Sequence, residues 1–177
     1  YGYYHHDLTE QLKAYLGASA DALHHPANTE IPPISEEEED TFQISPKLGL
    51  RYSPQKQTHL RASYAWNLGG VFFDQSLRLE PTQMAGFINT YRSVIPESSA
   101  GILPGEKQEV GGLAWDQQFG DSTFLTVSGQ WLQSDAQRTL GTFDFASLPA
   151  QASGTPQGLD YEERSLLVAF NQLIDPW

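Results

Sequence analysis

Two neighbouring stretches of the chain alternate between apolar and polar residues. Residues 42–53 place most of their large apolar side chains at even positions and most polar ones at odd positions. Residues 58–69 repeat this alternation after the short segment 54–57. A period of two puts successive side chains on opposite faces of a strand. These stretches therefore predict a β-hairpin with one apolar and one polar face.

The same pattern recurs in the C-terminal half of the chain. Residues 109–119 and 123–133 alternate on either side of Gly120-Asp121-Ser122, which predicts a second hairpin. Residues 161–174 predict a further strand. Apolar residues occur on both faces of this last strand, so we expect it to be buried on both sides.

The lengths of the joins alternate along the chain. Short joins near residues 54–57 and 120–122 are interleaved with long ones at 24–41, 69–107 and 135–159. An up-and-down outer-membrane barrel has tight turns on one side of the membrane and long loops on the other. The alternation of joins therefore favours such a barrel.

This topology decides two ambiguous segments. Residues 8–23 fit a helix nearly as well as a strand, and the barrel parity predicts a strand near 8–23. Residues 74–92 are not expected to cross the membrane, because the following hairpin would then point its short turn outwards. We place them in an external loop. The predicted fold is all-β: an antiparallel up-and-down meander over residues 1–177, one unit within an outer-membrane β-barrel.

A soluble β-sandwich alternates in the same way and is the alternative fold. The composition of the faces separates the two. One face carries aromatic residues near strand ends, where a headgroup-level girdle would lie in a barrel and an ordinary core in a sandwich; they are Tyr64, Trp66, Trp115 and Trp131. The opposite face carries charged residues suited to a polar lumen; they are Lys47, Arg51, His59, Arg61 and Asp116.

Composition removes several classes of function. The formal net charge of -12 repels phosphate backbones, so nucleic acid is not an expected partner. With no cysteine, the 177-residue chain has neither a cysteine nucleophile nor thiolate metal ligands. It begins at Tyr1 without a leader, so we expect a mature, trimmed or partial sequence. The expected partners are a lipid bilayer or detergent, and further barrel strands from a longer chain or partner subunits, because six predicted strands are fewer than the smallest barrels contain.

Histidines and acidic residues are the candidate metal ligands. His5, His6, His24 and His25 flank the first predicted strand and suit a transition metal. Adjacent histidines in a strand point to opposite faces, so solvated strand ends are the favoured interpretation. The acidic run at residues 36–40 offers oxygens to Ca²⁺ but lacks the spacing of an EF-hand, and a solvated loop is favoured. No metal site and no cofactor is predicted.

Catalytic signatures are weak. Asp116, Glu162 and Glu163 supply carboxylates for a glycosidase-type pair, but their spacing selects no pair. Ser128 lacks the preceding glycine of a nucleophile elbow, and no histidine follows it. No catalytic residue is predicted, and a non-enzymatic role is favoured.

A family resemblance points towards the same fold. The stretches "ISPKLGLRYSP", "THLRASYAWNLGGVFFDQSLRLEPTQMAGF", "EVGGLAWDQQFGDSTFLTVSGQWLQSDAQR" and "ERSLLVAFNQL" resemble the C-terminal barrel region of outer-membrane proteins related to TonB-dependent receptors. The likeness is strongest to barrels that follow a tetratricopeptide-repeat region, and it covers about two thirds of the chain. It implies a barrel in the bacterial outer membrane. No plug domain, TonB box or repeat helix accompanies the strands, so the resemblance implies neither energised uptake nor particular ligand-binding residues.

The sequence thus predicts solute transport or surface anchoring in a bacterial outer membrane. A secreted β-sandwich that binds carbohydrate or belongs to an enzyme is the second hypothesis. A structural subunit that completes the sheet of a partner is the third.

Overall fold

The computed structural model describes residues 1–28, 31–34, 36–69, 80–81, 83–88, 103–146 and 149–174. These residues form nine β-strands: β1 (Gly2–Asp7), β2 (Leu12–Pro26), β3 (Glu38–Gln55), β4 (Thr58–Leu68), β5 (Gln83–Met84), β6 (Phe87–Ile88), β7 (Lys107–Phe119), β8 (Thr123–Asp144) and β9 (Gln151–Gln172). Within the described ranges, no helix is long and apolar enough to span a membrane.

Seven of the strands form one antiparallel sheet in the order β1-β2-β3-β4-β7-β8-β9. Each strand pairs with its neighbour in sequence, except that the small hairpin β5–β6 is inserted between β4 and β7. This arrangement confirms the predicted all-β antiparallel meander.

The predicted strands are present, but several bounds differ. β8 and β9 stay paired from Thr123 to Asp144, through most of the join predicted at 135–159. At the other end of the chain, Leu8 to Gln11 form a turn instead of the start of a strand. The Thr9 hydroxyl accepts hydrogen bonds from the backbone N–H groups of Gln11 and Leu12, at 3.2 and 3.0 Å. The preceding strand β1 has no counterpart in the prediction.

Two predicted loops also contain strands. Glu38 to Asp40 open β3 because they pair with residues 24–26 of β2, so this part of the acidic run is not a loop. Within the predicted external loop 74–92, residues 83–88 form the hairpin β5–β6. The rest of that loop, apart from residues 80–81, lies outside the described residues.

The joins of the main sheet alternate between its two ends. Residues 8–11, 56–57 and 120–122 turn at one end, the "short-turn end". The other joins leave and re-enter the sheet at the opposite end, where β8 contacts the β2–β3 connection. Two β8 backbone N–H groups donate there to carbonyl oxygens of this connection, Thr139 to Ala27 and Gly141 to Ile31, both at 3.1 Å.

Burial on the two faces of the sheet is inverted relative to a water-soluble protein. The "apolar face", which carries Leu48, Tyr64, Leu113 and Leu166, is largely uncovered. The "polar face", which carries Lys47 and the residues in register with it, holds most of the buried polar side chains: Ser19, His25, Ser45, Lys47, Asn67, Gln108, Ser128, Ser134 and Glu163. The cluster of buried hydrophobic residues is small: Val110 and Leu132, with Tyr161 packed against them.

The last strand is the clearest departure from the predicted burial. β9 is an edge strand, and Leu166 and Leu167 are 76% and 59% exposed although they point to opposite faces. The expectation of burial on both sides was wrong, because no described strand or loop covers β9.

Candidate functional site

The polar face has a floor of small residues on which the hairpin β5–β6 is seated. A Cβ atom at Gly112 would lie 2.5 Å from Phe87, and one at Gly49 would lie 3.0 Å from Met84. Gly49 and Gly112 sit in the same row, each paired with Ser63 of β4. Glycine at both positions therefore leaves room for the hairpin to approach the sheet.

Arg61 connects the sheet to this hairpin. Its guanidinium donates to both carboxylate oxygens of Asp116, at 2.6 and 3.2 Å, and to the backbone carbonyl of Ala85 at 3.3 Å. The Thr126 hydroxyl donates to the same carboxylate at 2.8 Å. The guanidinium carbon also lies 5.3 Å from the centre of the Phe87 ring, within cation–π range.

Lys47 makes a second connection, to Glu80 in the segment between β4 and β7. The Lys47 side chain is fully buried and forms an ion pair with Glu80. The Tyr3 hydroxyl donates to the same Glu80 oxygen at 2.8 Å. Tyr3, Gly17 and Lys47 occupy one row across β1, β2 and β3. A Cβ at Gly17 would lie 2.6 Å from the Tyr3 ring, so this glycine lets the ring cross β2 towards Lys47.

A third polar cluster lies deeper on the same face. Glu106 is fully buried and accepts hydrogen bonds from Ser134 and, at 3.1 Å, from Gln108. Nearby in the row of Gln108, Asn67 is buried with neither side-chain amide atom hydrogen-bonded. A buried amide of this kind is normally satisfied by water. This row of the polar face is therefore lined by buried polar side chains.

All five charged residues that the sequence assigned to a lumen lie on the polar face. Lys47, Arg61 and Asp116 make the contacts given above. Arg51 is paired with Arg61 in register, and His59 is opposite Asp116, with its Nδ1 at 2.8 Å from the Ser53 hydroxyl. Sequence reasoning missed Glu80 and Tyr3. Neither has a local signature, because their contacts with Lys47 join distant parts of the chain.

The four predicted girdle aromatics lie on the apolar face at two levels. Tyr64 and Trp131 occupy one row on either side of Gly111, and their rings stack with centroids 6.3 Å apart. Trp66 is two residues from Tyr64 on the same strand and donates its indole N–H to the Tyr64 hydroxyl. Trp115 lies nearer the short-turn end, opposite Leu60.

The structure does not bring the two histidine pairs together. His5 and His6 lie opposite Tyr15 and Ala14, whereas His24 and His25 lie at the other end of β2. Across the described ranges, no three His, Asp or Glu side chains are placed to hold a metal ion.

The histidines at the far end of β2 have other partners. The His24 ring nitrogens lie 2.7 Å from Asp40 and 3.0 Å from Glu38. The hydrogen bond to Asp40, helped by the charge of Glu38, raises the pKa of His24 above its usual 6.5. His25 is buried on the polar face with its Nε2 unpaired, and it lines an open cleft of about 310 Å³ together with Glu39 and Asp135.

The carboxylates considered for catalysis do not form a pair. Glu162 is on the apolar face, where it accepts a hydrogen bond from exposed Arg164 at 2.7 Å. Glu163 is buried on the polar face and accepts a hydrogen bond from Tyr161 at 2.8 Å. Asp116 is in register with Thr126, six residues along β8 from Leu132, the partner of Glu163. At about 3.4 Å per residue, these two carboxylates are roughly 20 Å apart along the strand direction.

Comparisons with known proteins leave the fold and the site to be interpreted from their own geometry. No protein-family model, no curated protein and no solved structure matched the chain.

Proposed function

We propose that this chain is part of an outer-membrane β-barrel whose polar face lines an interior for solutes. The observation that carries the proposal is the inverted burial of the sheet. Uncovered apolar side chains of this extent are costly in water and favourable in lipid. The buried charged residues would face the interior. We propose that this arrangement serves solute passage or surface anchoring and not catalysis.

The height of the apolar band supports the proposal. On β7, the band runs from Gly111, level with the Tyr64–Trp131 row, to Phe119 beside the short turn, and Gln117 is the polar residue within it. Nine residues at about 3.4 Å each cover roughly 30 Å along the strand. At the usual barrel tilt of about 35–45°, this gives a height of roughly 20–25 Å, close to the ≈ 25 Å apolar band of membrane barrels.

The outline of the band provides a second argument. Towards the long-join end, the first Asp, Glu, Lys or Arg on the apolar face is Asp40 on β3, Glu109 on β7 and Arg164 on β9. We measured the position of this first charged residue on each strand against the residues that pair across the sheet. From β3 to β9 the position shifts by about eight residues along the strands, and the corresponding border at the short-turn end shifts by about two. If strands tilted at about 40° cross a flat membrane, the border of the apolar band must shift by about 1.2 residues from each strand to the next. Over the four steps from β3 to β9, the expected shift is about five residues. The two borders shift in the same direction, one by more and one by less than this amount.

The hairpin argues against the soluble β-sandwich. A sandwich covers the apolar face of one sheet with a second sheet. In the described part of the chain, the additional layer is β5–β6, and it packs on the polar face. An apolar groove of about 560 Å³, lined by Leu50, Leu60, Leu113, Trp115 and Val127 among others, stays open on the apolar face and has the chemistry of a lipid-chain contact.

Closure of the proposed barrel requires further strands. The seven strands alternate in direction, so the two edge strands β1 and β9 run the same way. Pairing these edges directly would give a parallel ladder, whereas bacterial outer-membrane barrels are antiparallel with an even number of strands. The proposed barrel therefore gains an odd number of strands from polypeptide outside these seven.

Refolding with and without a mild detergent tests the proposal. We expect ordered β circular dichroism and a defined sedimentation coefficient in detergent, and aggregation in plain buffer, because only detergent covers the apolar face. A compact monomer with the same spectrum in buffer alone would refute the membrane assignment and favour a secreted β protein that binds ligands through exposed tryptophans.

A further inference from the structure

We propose that Lys47 and Tyr3 form a carboxylate-binding site on the polar face, and that Glu80 occupies this site as an internal ligand. The proposal rests on the contacts of Lys47 and does not require a closed barrel. Combined with the function proposed above, it identifies carboxylate-bearing solutes as the class that competes for the interior.

The sheet builds the cationic half of the site without help from the loop. Tyr3 on β1 and Lys47 on β3 converge over Gly17, and the ammonium group lies 5.9 Å from the centre of the Tyr3 ring. Both side chains reach the same carboxylate oxygen of Glu80. An ammonium and a hydroxyl aimed at one oxygen atom form a charge-assisted pair of donors. Their positions are fixed by backbone pairing.

The occupant comes from a different part of the molecule. Glu80 lies in the long connection between β4 and β7, beyond the ladder that fixes Tyr3 and Lys47. Its carboxylate benefits from a high effective concentration because it is tethered to the sheet. A free carboxylate meets the same donors without that advantage. Competition therefore requires either a high solute concentration or removal of the Glu80 carboxylate.

Charge balance favours a singly charged carboxylate over phosphate. The row that contains Tyr3 and Lys47 continues through Ala65, Val110 and Leu132 to the buried Glu163. Lys47 is the one cation of this row, and Glu163 is acidic. The other cations of the polar face among the described strands near Lys47, Arg51 and Arg61, lie four residues away along β3 and β4, and Arg61 is already paired with Asp116. A phosphate with a charge of about -1.5 to -2 would be poorly compensated there.

Chemical rescue of a Glu80→Ala variant by acetate tests the site. The readout is the rate at which a small amine-reactive reagent modifies Lys47 in the detergent-solubilised 177-residue chain, measured by peptide mass spectrometry. Exposed Lys13 serves as the internal reference, and Glu162→Ala is the matched control because it removes a carboxylate from an exposed ion pair on the other face. Sodium chloride at equal ionic strength separates carboxylate binding from screening.

We expect Lys47 of the unmodified chain and of Glu162→Ala to react at least tenfold more slowly than Lys13. In Glu80→Ala, Lys47 should react faster, and acetate at tens of millimolar should slow it again several-fold while chloride does not. Equal effects of acetate and chloride, or fast reaction of Lys47 in the unmodified chain, would overturn the proposal. If phosphate slows Lys47 more than acetate does, the assigned ligand class is wrong.

Folding of the variant provides a second measurement. If Glu80→Ala does not refold in chloride, refolding that depends on acetate supports the site. Glu80→Ser retains a hydroxyl beside Lys47 and is examined in parallel. Failure of both variants to refold in acetate overturns the proposal, because a carboxylate-binding site would be restored by its ligand. This measurement uses detergent throughout, so a negative result does not bear on whether the apolar face contacts lipid.

Discussion

The two faces of the main sheet differ in what they bury and in how they are organised. The apolar face presents uncovered aliphatic and aromatic side chains between two levels of aromatic residues. The polar face carries small residues in its centre, charged residues around them and a hairpin seated above. Both faces arise from the same period-two alternation. The alternation specifies that the two faces differ. The burial of the side chains shows that the polar face is the covered one.

The largest expected effect concerns the buried ion pair of the polar face. Lys47→Met removes the buried ammonium group of the Lys47–Glu80 ion pair, and we expect a loss of about 3–5 kcal/mol in the free energy of unfolding. Arg164→Met on the apolar face is the control, because the Arg164–Glu162 pair is exposed and surface pairs contribute about 0–1 kcal/mol. Denaturant unfolding in detergent measures both. Similar losses for the two variants would contradict the contrast between the faces.

A smaller effect concerns the seat of the hairpin. Gly112→Val places a side chain where the Phe87 ring lies, and overpacking of this kind costs about 1–3 kcal/mol. Gly129→Val is the matched control, because its nearest neighbour is a backbone oxygen at 3.9 Å and the apolar face is open there. We expect the control to change stability by less than about 0.5 kcal/mol. Equal destabilisation of the two variants would show that the hairpin does not occupy the polar face.

The smallest expected effect lies at the long-join end, outside the apolar band. Because the folded-state pKa of His24 is raised, protonated His24 stabilises the fold below the usual value of 6.5, and this contribution is lost as the pH rises through the folded-state pKa. Asp40→Asn should bring the pKa of His24 back towards 6.5. A titration of the His24 ring resonances by NMR measures the shift. An unchanged midpoint would show that the strand-end geometry is incorrect.

The sequence predicted strands where alternation was long and regular, and it missed elements that lack alternation. Residues 42–53 and 58–69 have clear alternation, whereas "GYYHHD" in β1 has tyrosine and histidine on both faces. The strands β5 and β6 have two residues each, too few to show a period. The pairing of β8 with β9 extends beyond the residues that alternate between apolar and polar, so the alternation does not mark where these strands end.

Only the part of the candidate site that the sheet contributes could be predicted from the sequence. Parity placed Lys47 and Arg61 on the polar face, since alternation alone determines the direction of a side chain in a strand. Their partners could not be predicted in this way. Glu80 reaches Lys47 from a loop, and the glycines at 17, 49 and 112 become a floor only when strands distant in sequence are placed side by side.

The central claim is that the apolar face contacts lipid, and two adjacent residues of β9 test it most directly. Leu167 and Val168 are both exposed but point to opposite faces, and Val168 lies within the apolar band, in the row of Val127 and Trp115. Each is replaced by arginine in turn, and unfolding is measured from lipid vesicles. Lipid contact predicts that Val168→Arg loses about 2–4 kcal/mol and that Leu167→Arg changes stability by less than about 0.5 kcal/mol. Small and equal changes for the two variants would show that water covers both faces, and would contradict the account.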